Sequence, residues 1–246
     1  MRILVTGSAD GLGHAAAEAL LDEGHDVVVH VRSHERLAGV EDLLRHGAGL
    51  VVGDLADLSQ THDVAGQANE IGRMDAVIHN AGVYSGRDVL PVNVVAPYVL
   101  TATMRRPDRL VYLSSGMHRG GRPVLDHVDW AGARQAGNYS DSKLYVTTLV
   151  AALARLWPEV LSNAVDPGWV PTRMGGPAAP DDLRLGHLTQ AWLATSHDPE
   201  ALTSGGYWHH RRRHDPHPSV PDERFQDQLL AALADFTGVP LPTAAV

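Results

Sequence analysis

The chain has 246 residues, 44% of them hydrophobic and 20% charged, with a formal net charge of −9. That acidity excludes a general nucleic-acid surface. The lack of cysteine excludes disulfides, thiolate metal sites and thiol chemistry, and no apolar run approaches the roughly 18 residues of a membrane span.

The length suits one large α/β domain over 1–246. The opening residues already read as strand and turn, so no signal peptide and a cytoplasmic location are expected. Ile3–Val5 reads as a strand followed by a helix over Gly13–Glu23. Val27–Val31 and Leu50–Val52 read as strands, each followed by an amphipathic segment, Glu35–Arg45 and Thr61–Gly72. Ala76–Ile78, Leu110–Leu113 and Asn163–Val165 continue the series, with a helix over Leu144–Leu156. Apolar strands alternating with helices predict a doubly wound parallel α/β sheet covered on both faces. Met174–Asp182, rich in Gly, Pro and Ala, reads as a mobile surface segment within a short substrate lid over 173–186. Asp222–Thr237 closes the chain as an amphipathic helix.

The only lysine, Lys143, follows Tyr139 by four positions, although Lys and Arg together number 20. Positions i and i+4 share a helix face. A phenol beside an ammonium is expected to have a lowered pKa, which makes it a usable acid/base. Thr6-Gly7-Ser8-Ala9-Asp10-Gly11-Leu12-Gly13 stands at the first strand-to-helix junction. Glycines there let the backbone approach a phosphate, and the helix N-terminus faces it. The alternative is an ordinary turn. At the end of the second strand, where an acidic residue would bind an adenosine ribose, the chain has Val31 and Arg32. An arginine there can pair with a 2′-phosphate, favouring NADP over NAD, and Asp10 is the counter-signal; the alternative is a solvated surface arginine. Gly53-Asp54-Leu55, Asn80-Ala81-Gly82 and Ser114-Ser115 end further strands, on the ligand-binding edge of such a sheet. A serine hydroxyl at that edge can hold a carbonyl oxygen. Asp166-Pro167-Gly168-Trp169-Val170-Pro171-Thr172 turns the chain over the same edge, with Thr172 in reach of a carboxamide.

Thr6–Gly13, Asn80-Ala81-Gly82, Asn93, Ser115, Tyr139-x-x-x-Lys143 and Pro167-Gly168 with Thr172 together resemble the short-chain dehydrogenase/reductase family. The likeness runs over about residues 1 to 209. It implies a seven-stranded Rossmann sheet whose last strand is Gly205–Trp208, and an NAD(P)-dependent oxidoreductase that interconverts a carbonyl and an alcohol. By that resemblance Tyr139 is the proton donor and acceptor. Lys143 tunes it and holds the nicotinamide ribose, Ser115 rather than Ser114 orients the carbonyl, and Asn93 holds a relay water. The cofactor would lie on Gly7, Ser8, Gly11, Leu12, Gly13, Arg32, Asp54, Leu55, Asn80, Ala81 and Gly82. Tyr139, Lys143, Pro167, Gly168, Val170 and Thr172 complete that set. The 116–137 loop resembles that of retinol-dehydrogenase-like and protochlorophyllide-reductase-like members, which implies a bulky apolar small molecule as substrate. The resemblance also implies a homodimer or homotetramer assembled through the helices bearing Asn93 and Tyr139. The competing function is a catalytically silent NADP-binding sensor or scaffold. The cluster of His209, His210, His214 and His217 around Arg211-Arg212-Arg213 reads as a solvated edge or subunit contact rather than a metal site.

Overall fold

The computed structural model describes residues 1–134 and 137–242. Gln135 and Ala136 of the 116–137 loop, and the last four residues of the 1–246 span, lie outside the described residues. β1 (Arg2–Val5), β2 (Asp26–Val31), β3 (Gly49–Val52), β4 (Ala76–His79), β5 (Arg109–Leu113), β6 (Leu161–Asp166) and β7 (Tyr207–His209) run parallel. β8 (Arg212–His214) pairs antiparallel with β7, and the order is β3-β2-β1-β4-β5-β6-β7-β8. The order reverses between β1 and β4, and a ligand crevice opens beyond the strand ends at such a switch point.

Seven strands were expected, and eight are present among the described residues. The extra strand returns through a tight turn at His210 and Arg211, whose φ values are +49° and +59°. Two residues with positive φ match the twist of a two-residue hairpin. Arg212-Arg213-His214 has no apolar alternation, so nothing in its pattern signals a strand. Its exposed cationic side chains suit an unpaired edge.

The helices are α1 (Gly11–Asp22), α2 (Glu41–Arg45), α3 (Leu58–Ile71), α4 (Ala96–Thr103), α5 (Tyr139–Leu156), α6 (Leu183–Gly186), α7 (Leu188–Thr195) and α8 (Glu223–Thr237). The segment expected as one helix over 35–45 divides into a 3-10 stretch, His34–Gly39, and α2. α4 and α7 have no polar stripe, because Ala96–Ala102 and Thr189–Ala194 are buried throughout, and this removes the periodic signal. α5 starts at Tyr139 instead of Leu144, because the Asn138 side chain accepts the Asp141 N–H at 3.0 Å and caps it.

Strand side chains alternate between two cores. Leu4, Val28, Val77 and Leu110 join the layer of α3, α4, α5 and α8. Ile3, Val5, Val29, Ile78 and Val111 join the layer of α1, α2 and α7. α8 lies along α5 with Phe225, Leu229 and Leu233 buried. The chain end is fastened across α4 and α5: the Tyr98 hydroxyl donates to the Val239 carbonyl at 2.7 Å, and Trp157 Nε1 donates to Pro242 at 2.9 Å. α5, which carries Tyr139, is therefore packed along the chain's own α8. Among the described residues, no helix is long and apolar enough to cross a membrane.

His79, at the end of β4, is buried against Tyr112 with ring centroids 4.5 Å apart, and its Nε2 meets the Thr101 hydroxyl at 3.3 Å. Burial pushes its pKa down to about 3. Between that value and the ordinary 6.5 the unfolded chain binds the extra proton and the native one does not. The stability this gives is present above pH 6.5 and is lost as pH falls towards 3, on the order of a few kcal/mol. Thermal unfolding between pH 7 and pH 4 should show this decline. His79→Phe, which keeps the stack, should flatten it; an unchanged slope would remove His79 as the cause.

Candidate active site

The glycine loop is tied down from beneath. Gly7 and Gly11 take φ values of +68° and +58°, which glycine alone adopts freely. A Cβ on Gly13 would lie 2.3 Å from the Gly7 carbonyl oxygen and 2.4 Å from Asn80 Nδ2. The Ser8 hydroxyl donates to Val5 O at 2.6 Å. His30 Nδ1 accepts the Gly7 N–H at 3.0 Å, and its Nε2–H donates to Gly53 O at 2.8 Å. Burial lowers the His30 pKa, keeping the ring in the neutral form that both bonds require. Asn80 Nδ2 donates to Thr6 O at 2.9 Å. Side chains thus hold the loop from the sheet side and leave its outer face to the crevice.

That crevice has a volume of about 600 Å³, within the range of small-molecule and cofactor sites. Gly7, Gly11, Leu12 and Arg32 line it with Asp54 and Leu55. Asn80, Ala81 and Gly82 continue the wall towards Tyr139 and Lys143, and Pro167 and Thr172 complete it. Ser8 and Gly13 brace the loop without facing the crevice. Val170 is buried, and Gly168, at φ +82°, turns the chain with its N–H on Asp166 Oδ1 at 3.0 Å. Thr172 Cγ2 would lie 3.3 Å from a Cβ on Gly11, so the 170s segment closes over the loop. Close packing of Gly7 on Ala81 and of Gly13 on the Gly7 carbonyl leaves a glycine loop at the N-terminus of the 12-residue α1 that fits the pyrophosphate of a dinucleotide.

At the other end Lys143 is buried, and its Nζ donates to Leu113 O at 2.6 Å. The ammonium sits 5.5 Å from the centroid of the Tyr139 ring. Burial pushes the Lys143 pKa down to about 8, opposed by the Asp166 charge. Burial likewise pushes Tyr139 up to about 12, against a hydrogen bond with Ser115 that pulls it down. Loss of water around the phenolate is the largest influence on Tyr139, and Asp166 and Tyr84 push the same way as burial. Ser114 turns into the interior, its hydroxyl 2.7 Å from that of Thr147, whereas Ser115 meets Tyr139 and accepts the Met117 N–H at 3.2 Å.

Asn93 lies in a π-turn, Pro91–Val95, ahead of α4. Its Oδ1 accepts the Val83 N–H at 2.9 Å, and its Nδ2 donates to Val83 O at 2.9 Å and to the Ser142 hydroxyl at 3.0 Å. The Ser142 hydroxyl donates in turn to the Tyr139 carbonyl at 2.7 Å. The side chain thus joins the segment after β4 to the first turn of α5.

Two residues at the crevice, Arg36 and Tyr84, were not legible beforehand. Arg36 lines it and pairs with Asp10 at 2.7 Å; its position four residues after Arg32 was the available signal. The Tyr84 ring lies 4.9 Å from that of Tyr139. Met174 Cε and Lys143 Nζ would lie 3.9 and 3.7 Å from a Cβ on Gly82.

A family model described as short chain dehydrogenase matches residues 1–106. The short-chain dehydrogenase chyC of Penicillium rubens is 34% identical, covering 98% of this chain and 99% of that protein. An uncharacterized oxidoreductase of Emericella nidulans is 34% identical with the same coverage, 98% and 99%. Among solved structures, a blue fluorescent protein from a metagenomic library in complex with NADPH superposes with a TM-score of 0.68 at 22% identity, over 85% of this chain and 95% of that one.

Proposed function

The chain belongs to the short-chain dehydrogenase family and is an NAD(P)-dependent oxidoreductase; from that premise we propose that it interconverts a carbonyl and an alcohol on a bulky apolar small molecule, with Tyr139 as acid/base and NADP(H) as the favoured cofactor. The observation that carries this reading is that Tyr139, hydrogen-bonded to Ser115, lines one end of the crevice beside Lys143, while the glycine loop lines the other end. When bound, the nicotinamide supplies or accepts the hydride at the carbonyl carbon. In the reductive direction Tyr139 Oη gives its proton to the carbonyl oxygen, and the Ser115 hydroxyl donates to the same oxygen and orients it. Lys143, anchored on Leu113 O, holds its ammonium beside the phenol and within reach of a ribose hydroxyl. With the phenol pushed up to about 12, the resting site holds its proton at neutral pH and is set to donate it. Asn93 fixes the distance between the Val83 segment and the turn that carries Tyr139.

Tyr84 and Met174 are large, mainly apolar side chains left exposed at the Tyr139 end of the crevice, which supports an apolar substrate. In this reading the 173–186 segment serves as the lid and 1–246 works as one domain. Arg32 and Arg36 at the opposite end support NADP, and a distant structural neighbour carries NADPH. On binding a 2′-phosphate, Arg36 would exchange its Asp10 partner for the phosphate. Arg32→Ala should weaken NADPH binding by about 1 to 3 kcal/mol and leave NADH nearly unchanged, as read by titration of each cofactor. Equal losses would remove the NADP assignment. Turnover of an aldehyde, ketone or quinone in a panel of rising size tests the reaction itself; cofactor binding without turnover of any member would favour a silent sensor.

A further inference from the structure

We propose that His118 is a positioning residue for the reaction: its ring ties the turn that carries Ser115 to the 215–220 segment and so holds the serine hydroxyl in place beside Tyr139. This rests on the reading of Ser115 as the group that orients the carbonyl. Ser115 follows β5 and opens a 3-10 turn, Gly116–Gly120. The turn's own bond is the His118 N–H on Ser115 O at 3.0 Å. The His118 ring adds a second bond to the same oxygen, its Nδ1–H donating at 2.7 Å. With the hydrogen on Nδ1, Nε2 is an acceptor, and it takes the His217 N–H at 3.0 Å. The ring is fully buried and lies 4.4 Å from the Tyr207 ring. Burial lowers the His118 pKa, so the ring keeps the neutral form in which Nε2 can accept. An apolar side chain would fill this volume. The imidazole also joins the serine turn to a residue 99 positions away.

The segment it reaches is itself fixed. His217 Nδ1 meets the Ser219 hydroxyl at 2.7 Å, and the His217 carbonyl accepts the N–H of the buried Val220 at 2.9 Å. Arg119, next on the turn, donates to Asp215 O at 2.7 Å. On its other side the turn meets α5. A Cβ on Gly121 would lie 2.6 Å from Ser140 O and 2.7 Å from Leu144 Cβ, so turn and helix touch closely. The Arg122 N–H donates to Asp141 Oδ1 at 2.8 Å, and its guanidinium donates to Oδ2 at 2.8 Å. Tyr139 begins that helix. The serine turn is therefore held between α5 and the 215–220 segment, and the His118 ring makes the tie to the latter that starts at Ser115.

Ser115 Oγ accepts the Met117 N–H at 3.2 Å, which leaves the hydroxyl hydrogen free to donate. Such a donor works only within hydrogen-bond distance of the substrate oxygen that Tyr139 also serves. Without the ring bonds the turn keeps its backbone bond and its contact with α5, but the Ser115 carbonyl loses its tie to the 215–220 segment. The hydroxyl then takes a wider range of positions. A displacement of about 1 Å can cost on the order of 10²-fold in rate.

A double-mutant cycle on kcat for carbonyl reduction, at saturating cofactor and carbonyl, tests the link. His118→Leu removes both ring bonds at similar volume. It should lower kcat about 10-fold or more and keep the cofactor Kd within about twofold of the wild type. His118→Asn carries its Nδ2 at the place of Nδ1 and should recover most of that loss. In Ser115→Ala, which has no hydroxyl to misplace, His118→Leu should lower kcat by less than about twofold. A merely structural histidine would slow both backgrounds alike, and that result would overturn the proposal. So would a wild-type kcat in His118→Leu, or an asparagine variant as slow as the leucine one. If the leucine variant does not fold, His118→Gln, with its amide at the place of Nε2, runs the same cycle. Failure of both to fold would make His118 a structural residue and end the proposal. Ser115→Ala at the wild-type rate, or a wild type that turns over no carbonyl, would remove the reading and the proposal together. An impaired Ser115→Ala beside an unaffected His118→Leu removes the proposal alone.

Discussion

Tyr139→Phe should leave a folded protein that binds cofactor normally and reduces carbonyls about 10²- to 10⁴-fold more slowly. Such a drop corresponds to about 3 to 5 kcal/mol of barrier. The hydroxyl contributes little to the fold, since its partner is Ser115, and a phenyl ring keeps the packing beside Tyr84 and the ammonium of Lys143. What disappears is the proton held at Oη. The pH behaviour of the wild type follows from the same group. Because the phenol is pushed up to about 12, reduction should persist well above neutrality, whereas alcohol oxidation, which needs the phenolate, should rise with pH over that range. Kinetics in both directions with any active member of a carbonyl panel measure this. A phenylalanine variant that keeps wild-type turnover would exclude Tyr139 as the donor.

Lys143→Arg should fail in both activity and stability despite conserving charge. Nζ is buried, with its bond to Leu113 O at 2.6 Å and the Gly82 backbone on another side. A guanidinium is wider and planar, and it cannot shed its proton as the buried ammonium can at a pKa of about 8. Overpacking of this kind costs typically 1 to 3 kcal/mol, so a lowered melting temperature should accompany a loss of turnover of at least about 10²-fold. A near-normal rate would show that any cation serves, and that the lysine's shape and proton have no part in the chemistry.

The sheet was legible in the sequence because its strands are short and continuously apolar and end in Gly, Asp, Asn or Ser, a pattern that only a two-sided parallel layer produces. The Tyr139–Lys143 pair was legible because one helical turn separates its members. α4 and α7 were hidden because they are buried all round, and β8 because an edge strand built from arginine and histidine has no apolar face. The shape of the site was legible further than its electrostatics. Spacing brings a phenol and an ammonium together, but the sign of the tyrosine shift depends on how much water remains, and burial is a property of the whole fold. Tyr84 and Arg36 reach the crevice from two different strand ends, and no local pattern in the chain ties Tyr84 to Tyr139.

The covering of α5 by α8 has a consequence for how the protein reaches its folded state. The Tyr98–Val239 bond spans 141 positions, and Arg155 pairs with Asp227 across 72. Loop-closure entropy must be met before such contacts form, so this packing belongs late in folding. During synthesis the apolar flank of α5 stays uncovered until α8, Glu223–Thr237, has emerged. The step most exposed to aggregation is therefore the docking of α8, which falls after the nucleotide-binding half has formed its own contacts.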